Sequence, residues 1–368
     1  MSGSTYGTIF RISTWGESHG NAIGAVVDGC PAGLQLEEQH IQTYLNRRKP
    51  GQTRYSTPRK EEDKVNILSG VFEGRTTGTP ITLIVYNENQ HSGDYDKLAS
   101  AYRPGHADYT FDEKYGFRDY RGGGRSSGRE TIGRVAAGAI ACALLKEMGI
   151  QVRAYTKAIG PVSIDPAKAN LDRIHLSPLY MPDPDASART EEFLSQQMED
   201  HNSAGGIIEC IVTGMPAGIG EPVFDKLDAS LAKAVMSIGA VKGVEIGDGF
   251  LTSCLTGEEN NDSFISDGDG HITKTSNHAG GILGGISDGS DIILRAAVKP
   301  TPSIFKTQKT VNRSRENIEL QIQGRHDPVI VPRAVVVVEA MVAATLVDQL
   351  FLGMTSRMDR IKDFYLKK

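Results

Sequence analysis

The chain has 368 residues, of which 39% are hydrophobic and 23% charged, which suits a soluble globular protein with a sizeable core. Its formal net charge of −5 argues against a surface built to attract nucleic acid. The four cysteines lie far apart and form no C-x-x-C motif, so neither a disulfide framework nor a zinc site is indicated. The first ten residues lack the basic and apolar regions of a signal peptide, which predicts a cytoplasmic protein.

Alternating and β-branched apolar residues predict strands at 8–14, 22–28, 81–87, 207–214 and 291–299. Helical spacing of apolar residues predicts helices at 37–48, 129–149, 188–202, 224–237 and 333–352. The apolar run 334–353 approaches transmembrane length, but Glu339 and Asp348 interrupt it and favour a buried core helix. Residues 87–125 and 250–290 lack a regular pattern, and loops that long are usually functional. With no low-complexity linker, we expect one domain spanning 1–368.

Residues 119–131 read DYRGGGRSSGRET and end where the helix at 129–149 is predicted to begin. The free N–H groups and partial positive charge of a helix start suit an anion. Ser126 or Ser127 could cap this helix, with Glu130 completing a capping box after Ser127. A capped loop, a phosphate cradle and a nucleic-acid-binding tail all remain open from this stretch. The dinucleotide-binding and P-loop patterns both fail here, because the required glycine and Gly-Lys-Ser/Thr are missing.

Two histidines stand in glycine-containing loops. GESHG places Ser18 beside His19, and RPGHAD displays Arg103 and His106 on a turn. Histidine can donate or accept a proton near neutral pH, and arginine offers a bidentate fork for phosphate or carboxylate. The alternative for His19 is a histidine packed in the core, and the alternative for His106 is a histidine that only caps local backbone.

Three further stretches complete the inventory. The basic loop 46–61 either is an exposed solubilising run or wraps a small, multiply anionic substrate. The glycine pairs in 276–290 either form tight turns or let the backbone approach a flat ligand. KPTPS (299–303) and GRHDP (324–328) add hydroxyls, cations and a carboxylate, without metal-ligand spacing. This inventory predicts an anionic small molecule bound beside a large, flat, phosphorylated cofactor.

The motifs GESHG, RPGHAD, YRGGGRSSGRET, KPT-S and GRHDP, in this order across residues 6–350, resemble those of the chorismate synthase family. The resemblance implies an α+β fold, a β-α-β sandwich with helices packed between antiparallel sheets, assembled as a homotetramer. It implies a lyase that converts 5-enolpyruvylshikimate-3-phosphate to chorismate, the last step of the shikimate pathway to aromatic amino acids. Phosphate leaves C3 and a proton leaves C6 in an anti-1,4 elimination. Reduced FMN is the implied cofactor, with NADPH acting only indirectly, to reduce the flavin.

The resemblance also implies roles for individual residues. His19 would protonate the leaving phosphate, His106 would lie by the flavin ring, and Asp327 would relay the C6 proton with flavin N5. Ser18 and Ser127 would support these groups. The implied substrate-binding residues are Arg48, Arg54, Arg59, Arg103 and Arg129. The implied FMN-binding residues are Arg125, Ser126, Ser127, Gly239, Ala240, Gly284, Lys299, Pro300, Thr301, Pro302, Ser303 and Arg325.

Two positions depart from the family pattern: Lys49 stands where arginine is usual, and Gly128 where alanine is common.

Two other classes of function compete with the elimination. An ordinary flavin or NAD(P)H oxidoreductase would use the same FMN but consume NADPH in step with product. An RNA-binding protein would use the Arg-Gly patch and lose affinity in salt. The acidic net charge disfavours the RNA-binding class, and we expect neither a nucleic-acid partner nor a membrane.

Overall fold

The structure is a computed structural model that describes residues 3–57, 61–87, 99–266, 268, 270, 272–322 and 327–366. Its strands are β1 Thr5–Tyr6, β2 Arg11–Gly16, β3 Ala22–Asp28, β4 Val65–Ile67, β5 Val71–Phe72, β6 Arg75–Thr76, β7 Ile81–Tyr86, β8 Gln151–Ile159, β9 Val162–Ser163, β10 Gly206–Thr213, β11 Val241–Ile246, β12 Phe264–Ser266, β13 Ile272–Lys274, β14 Ile282–Leu283, β15 Ile286–Ser287, β16 Ile292–Val298, β17 Gln308–Val311 and β18 Asn317–Leu320. Its helices are α1 Glu38–Arg48, α2 Asp108–Tyr115, α3 Thr131–Glu147, α4 Pro184–Glu199, α5 Leu227–Met236, α6 Gly257–Asn260, α7 Val331–Leu352 and α8 Met358–Leu366.

Two five-stranded antiparallel sheets enclose a layer of helices. The first sheet has the order β1-β2-β3-β7-β4, and the second has the order β11-β16-β10-β8-β9. Helix α3 packs on the first sheet, α7 packs on the second, and the two helices pack on each other. The α+β sandwich expected from the sequence is therefore confirmed.

Period-two burial explains why each sheet turns one face to the helices. In β3 the side chains of Ile23, Ala25 and Val27 are fully buried, and in β10 Ile208 and Cys210 are. The five predicted strands and five predicted helices are present, with ends displaced by a few residues. Strands β8 and β11 and helix α2 were not predicted. β8 carries alternating charged residues on its outer face, which weakens its apolar signal.

Helix α7 is the core helix that the two acidic residues predicted. Glu339 accepts two hydrogen bonds from Arg47, at 2.7 and 2.9 Å. Asp348 accepts the backbone N–H groups of residues 8–10, at 2.7–3.0 Å. By length and composition α7 with its following turn could span a membrane, but 83% of its most apolar window is buried inside the protein. Because both acidic side chains are hydrogen-bonded, this helix can be buried in the protein core without an unpaired charge.

The contact between α3 and α7 positions the functional cavity. A Cβ at Gly138 would overlap Ala340, so glycine allows the two helices to approach closely. The first turns of both helices then line the same cavity. Helix N-termini carry partial positive charge, so the fold brings two partially positive helix ends to the same cavity.

Candidate active site

A cavity of about 910 Å³ opens among the loops around residues 103–107, 122–131, 237–240 and 299–303. It falls within the usual range for small-molecule sites. In the part of the chain that the structure describes, its lining has eight cationic side chains but only two carboxylates, Glu130 and Asp327. The cations are Arg48, Arg103, Lys114, Arg125, Arg129, Arg134, Lys299 and Arg333. This excess of positive charge favours a multiply anionic ligand.

The stretch 119–131 is an ordered loop that leads into α3 through two short 3₁₀ turns. Ser127 caps the second turn, because its side chain accepts the Arg129 N–H at 3.3 Å. The expected capping box is wrong: Glu130 bonds the Arg134 side chain at 2.7 Å instead. Gly122, Gly123 and Gly128 of this loop line the cavity.

Side chains of the same loop fasten it to the first sheet. Arg125 donates to the Thr14 hydroxyl at 2.6 Å and to the Gly16 carbonyl at 3.1 Å. Ser126 donates to the Gly123 carbonyl at 2.7 Å. Arg125, Ser126 and Ser127 all line the cavity, so the structure brings these three predicted residues together.

Ser18 and His19 lie directly behind this loop. Both are buried, and Ser18 Oγ is 3.1 Å from His19 Nδ1. A Cβ built on Gly122 would stand 2.5 Å from His19 Cε1, and Gly122 itself has φ +106 and lines the cavity. Glycine is required here on both counts, since a side chain would be strained and would displace the imidazole. Gly122 is the wall between His19 and the cavity.

Asp108, at the start of α2, organises the RPGHAD turn. It accepts two hydrogen bonds from the Arg103 guanidinium, at 2.7 and 2.8 Å, and lies 2.9 Å from His106 Nδ1. Burial opposes ionisation of Asp108, but Arg103 and His106 hold the pKa of this carboxyl well below its usual range. Arg103 also donates to the Gly122 carbonyl at 3.1 Å, which joins this turn to the glycine wall.

Arg48 and Arg129 converge on Asp63, whose side chain is fully buried. Arg48 donates to Asp63 Oδ2 at 2.8 Å, and Arg129 Nη1 lies 3.3 Å from Oδ1. Burial opposes the charge on Asp63, yet the two guanidinium groups lower its pKa. Burial also lowers the pKa of Arg48 to about 10, so Arg48 stays protonated at neutral pH. Asp63 has a left-handed backbone, with φ 49, which is uncommon outside glycine and often marks functional sites.

Asp327 is held from two sides. Its Oδ1 accepts the Thr57 N–H at 2.8 Å, and its Oδ2 accepts from Arg333. Arg333 stands in the first turn of α7. The sequence pattern predicted only that it belongs to a core helix. A lone arginine one residue after Pro332, near GRHDP, was the available signal. Asp63, Arg134 and Lys114 were also missed, because nothing local separates them from ordinary surface charges.

The segments expected to hold the cofactor line the opposite part of the cavity. Lys299 donates its ammonium group to the Gly105 carbonyl at 2.6 Å, and its N–H bonds the Ala240 carbonyl at 2.9 Å. Ala240 carries a strained φ of 73. Lys299, Thr301, Pro302 and Ser303 line the cavity together with Gly239 and Ala240. Pro300 turns away and packs beside Gly205.

Within the described chain, five predicted residues do not line the cavity: Ser18 and His19 lie behind Gly122, Pro300 packs beside Gly205, and Arg54 and Gly284 lie farther away. Arg54 extends toward Glu191, at 3.9 Å, with its side chain 68% exposed. Gly284 forms the turn between β14 and β15 with φ +61. Arg59 and Arg325 lie outside the described residues.

A strongly cationic cavity with one histidine and two carboxylates in its lining, between the helices of an α+β sandwich, defines an enzyme for a small anionic substrate. A family model described as chorismate synthase matches residues 10–351. The chorismate synthase of Lachnoclostridium phytofermentans is 68% identical over the full length of both chains. That of Methanosarcina mazei is 54% identical over 95% of this chain and 96% of its own. A crystal structure of chorismate synthase aligns with TM-score 0.77 and 31% identity, covering 97% of this chain and 96% of that one. The chain belongs to the chorismate synthase family, whose activity lies in the shikimate pathway.

Proposed function

We propose that this protein is a lyase that converts 5-enolpyruvylshikimate-3-phosphate to chorismate and inorganic phosphate, the last step of the shikimate pathway to aromatic amino acids. The observation that carries this proposal is the cavity itself. Its described lining has eight cations against two carboxylates, and two buried or half-buried histidines stand beside it. Membership of the family makes this the substrate class to test first.

The reaction is balanced without a net change of oxidation state. The C6–H bond breaks, and its electron pair forms a double bond between C6 and C1. The ring double bond between C1 and C2 then moves to C2 and C3, and the C3–O bond breaks with both electrons leaving on phosphate. The protein must therefore neutralise phosphate, supply a proton to it and remove one from C6.

The arginines of the cavity can neutralise the charge of the phosphate. Arg48, Arg103 and Arg129 line the cavity, and each is already oriented by a buried carboxylate. We assign the binding of phosphate and carboxylate groups to these three residues. Preorganised cations stabilise developing charge without reorganising at the moment of reaction. Arg54 and Arg59 remain weaker assignments, since Arg54 points toward Glu191.

The proton transfers fall to three residues around the cavity. His19, oriented by Ser18, would protonate a leaving phosphate that binds within hydrogen-bond reach of it beside Gly122. His106, held beside Asp108, would stand by the cofactor. Asp327 would take part in moving the C6 proton, with its oxygens held by Thr57 and Arg333. Ser127 would support the loop start.

The residues present fit reduced FMN. Thr301 lines the cavity, and its Oγ1 is buried and makes no hydrogen bond within the described chain. A Cβ on Gly128 or Gly239 would meet nothing within 4 Å, which leaves open space for a flat ring or a phosphate. The residues that would hold it are Arg125, Ser126, Ser127, Gly239, Ala240, Lys299, Thr301, Pro302 and Ser303. When bound, the reduced flavin supplies electron density that eases C–O cleavage. NADPH would act only by reducing the flavin.

The assembly and location belong to the same proposal. A hydrophobic core that includes both sheets supports one domain over 1–368. Several large apolar side chains are exposed, such as Phe250 at 80% and Ile272 at 72%, which supports burial between copies in a homotetramer. A cytoplasmic location belongs to this proposal, since the one helix among the described residues that is apolar enough to cross a membrane is mostly buried inside the protein.

Phosphate release from enolpyruvylshikimate phosphate with dithionite-reduced FMN, in the absence of oxygen, tests the function. We expect release by the wild type without consumption of NADPH, and a loss of at least about tenfold for His106→Ala and for His19→Ala. Absence of release by the wild type would reject the elimination. NADPH consumed in step with product would instead show an oxidoreductase.

A further inference from the structure

We propose that Arg333 is a positioning residue that orients the Asp327 carboxylate for proton transfer and couples it to the arginines that bind the substrate. This inference rests on the proposed function, because it takes Asp327 to move the C6 proton. Neither the sequence motifs nor the family resemblance assigns a role to Arg333.

The first observation is the hold on Asp327. One carboxylate oxygen accepts the Thr57 N–H at 2.8 Å, and the other accepts the Arg333 Nη1. The two side chains are largely buried, 20% exposed for Arg333 and 13% for Asp327. Because both oxygens are bonded from fixed directions, the plane of the carboxyl group is set. A proton-transfer group misplaced by about 1 Å loses on the order of a hundredfold in rate.

The second observation is the connection behind Arg333. Its Nε donates to the Arg48 carbonyl at 3.1 Å. The Arg48 side chain in turn donates to Asp63 at 2.8 Å and to the Gly128 carbonyl at 3.1 Å. Hydrogen bonds therefore run from the proton-transfer carboxylate to the anion-binding arginines through this one guanidinium.

The third observation is that Arg333 stands on a helix that is held in place. Arg333 lies in the first turn of α7, whose middle is fixed to α1 by the paired Glu339 and Arg47. On its far side lies a second cavity of about 300 Å³, lined also by Arg47, Tyr55 and Tyr180. Arg333 lines both cavities, so its side chain separates them. Removing it would free Asp327 and also admit water from behind.

The guanidinium of Arg333 makes its hydrogen bonds to Asp327 and to the Arg48 backbone, both inside the protein. A residue that mainly bound substrate would change KM when truncated, whereas a residue that positions Asp327 changes kcat. The two roles therefore predict different kinetics.

The test is a double-mutant cycle with Arg333→Ala and Asp327→Asn in the full-length protein, with reduced FMN and enolpyruvylshikimate phosphate. We expect Arg333→Ala to lower kcat at least about tenfold and to change KM by less than about threefold. In the Asp327→Asn background the same change should lower kcat by less than about twofold, because the group it positions is gone. Arg333→Lys should recover part of the loss, since it keeps the charge without the fork.

A deuterium label at C6 adds a readout that general loosening of the fold does not move. The isotope effect on kcat should be larger for Arg333→Ala than for the wild type, because loss of alignment slows C6–H cleavage itself. Arg153→Lys is the control: Arg153 lines neither cavity and pairs with Asp172, and the kcat of this variant should stay within about twofold of wild type.

Additive effects of the two variants, an effect on KM alone, or an unchanged isotope effect would overturn the role of Arg333. Wild-type turnover by Asp327→Asn would instead overturn the assignment of Asp327 in the proposed function, which separates the two failures.

Discussion

Two buried clusters of opposite charges lie in this protein, and they differ in whether their hydrogen bonds are complete. In the Lys274 cluster, formed by Lys274, Asp262 and Asp288, the ammonium group donates to both carboxylates and to Asn277, at 2.6–3.2 Å. Asp262 also accepts two backbone N–H groups and the Ser276 hydroxyl. Three donors on the lysine meet three acceptors, so this cluster is closed.

The cavity cluster, formed by Arg48, Asp63 and Arg129, is open. Arg48 Nε is buried and makes no hydrogen bond to the described residues, and both arginines line the cavity. Arg333 adds a third guanidinium close by, as its bond to the Arg48 carbonyl shows. The difference teaches that buried charge alone does not mark a binding site. A buried guanidinium N–H left without a hydrogen bond to the described residues, on a side chain that lines a cavity, is what distinguishes the open cluster.

The largest effect should come from breaking the closed cluster. Lys274→Met leaves two buried carboxylates without their cation, so we expect a loss of about 3–5 kcal/mol in the free energy of unfolding. Urea unfolding followed by circular dichroism measures it. Lys168→Met is the control, since Lys168 and Asp185 are both exposed and its unfolding midpoint should not move. A Lys274→Met protein as stable as wild type would show that the cluster is not structural.

The next effect should come from the open cluster and should appear in activity. Arg129→Ala removes a guanidinium that lines the cavity, and we expect kcat/KM to fall about a hundredfold or more. Steady-state phosphate release measures it, with Arg153→Ala on the outer face of β8 as a matched control. Activity within threefold of wild type would contradict the assignment of Arg129 to the substrate.

A smaller effect tests the wall between His19 and the cavity. Gly122→Ala would strain a backbone with φ +106 and press on the imidazole, so we expect about 1–3 kcal/mol of lost stability and a kcat lowered about tenfold. Gly128→Ala in the same loop meets nothing within 4 Å, and its unfolding midpoint should be unchanged or slightly raised. Equal midpoints for both variants would remove the steric argument.

The smallest effect is a dependence on pH. Burial opposes ionisation of Asp262, but its backbone and side-chain donors, Lys274 among them, hold its pKa below the ordinary 3.8. Since the folded pKa is the lower one, this stabilisation is present above pH 3.8 and is lost as the pH falls toward the folded pKa. Unfolding measured from pH 6 to pH 3 should therefore lose stability mainly below 3.8, and less steeply in Lys274→Met. Identical slopes for both proteins would contradict this account.

Residue patterns predicted individual strands and helices well where apolar side chains repeat regularly, whereas the sandwich itself was implied by the family resemblance. Strand β3 and helix α3 are examples, because burial repeats with period 2 in one and covers most of the other. The patterns failed for β8, whose outer face carries Arg153, Tyr155 and Lys157. The latter two bond Glu209 on the next strand, a partner far away in sequence.

The motifs of the site could be found in the sequence, but the residues that form hydrogen bonds with them mostly could not. His19 and His106 could be picked out from the sequence because each stands next to a glycine in a loop, although the structure buries His19. Asp63 and Arg333 act through contacts with residues 15 and 285 positions away, respectively, which local patterns do not encode. Arg54 shows the opposite error, since a cation inside a basic loop faces α4 and not the cavity.

Anaerobic phosphate release with reduced FMN, measured side by side for wild type, Lys274→Met and Arg129→Ala, tests the central claim most directly. At a temperature where all three are folded, we expect wild type and Lys274→Met to release one phosphate per chorismate at similar rates. Arg129→Ala should release it at about 1% of that rate or less. Equal rates for Arg129→Ala and wild type, or no release by the wild type, would contradict an active site in this cavity.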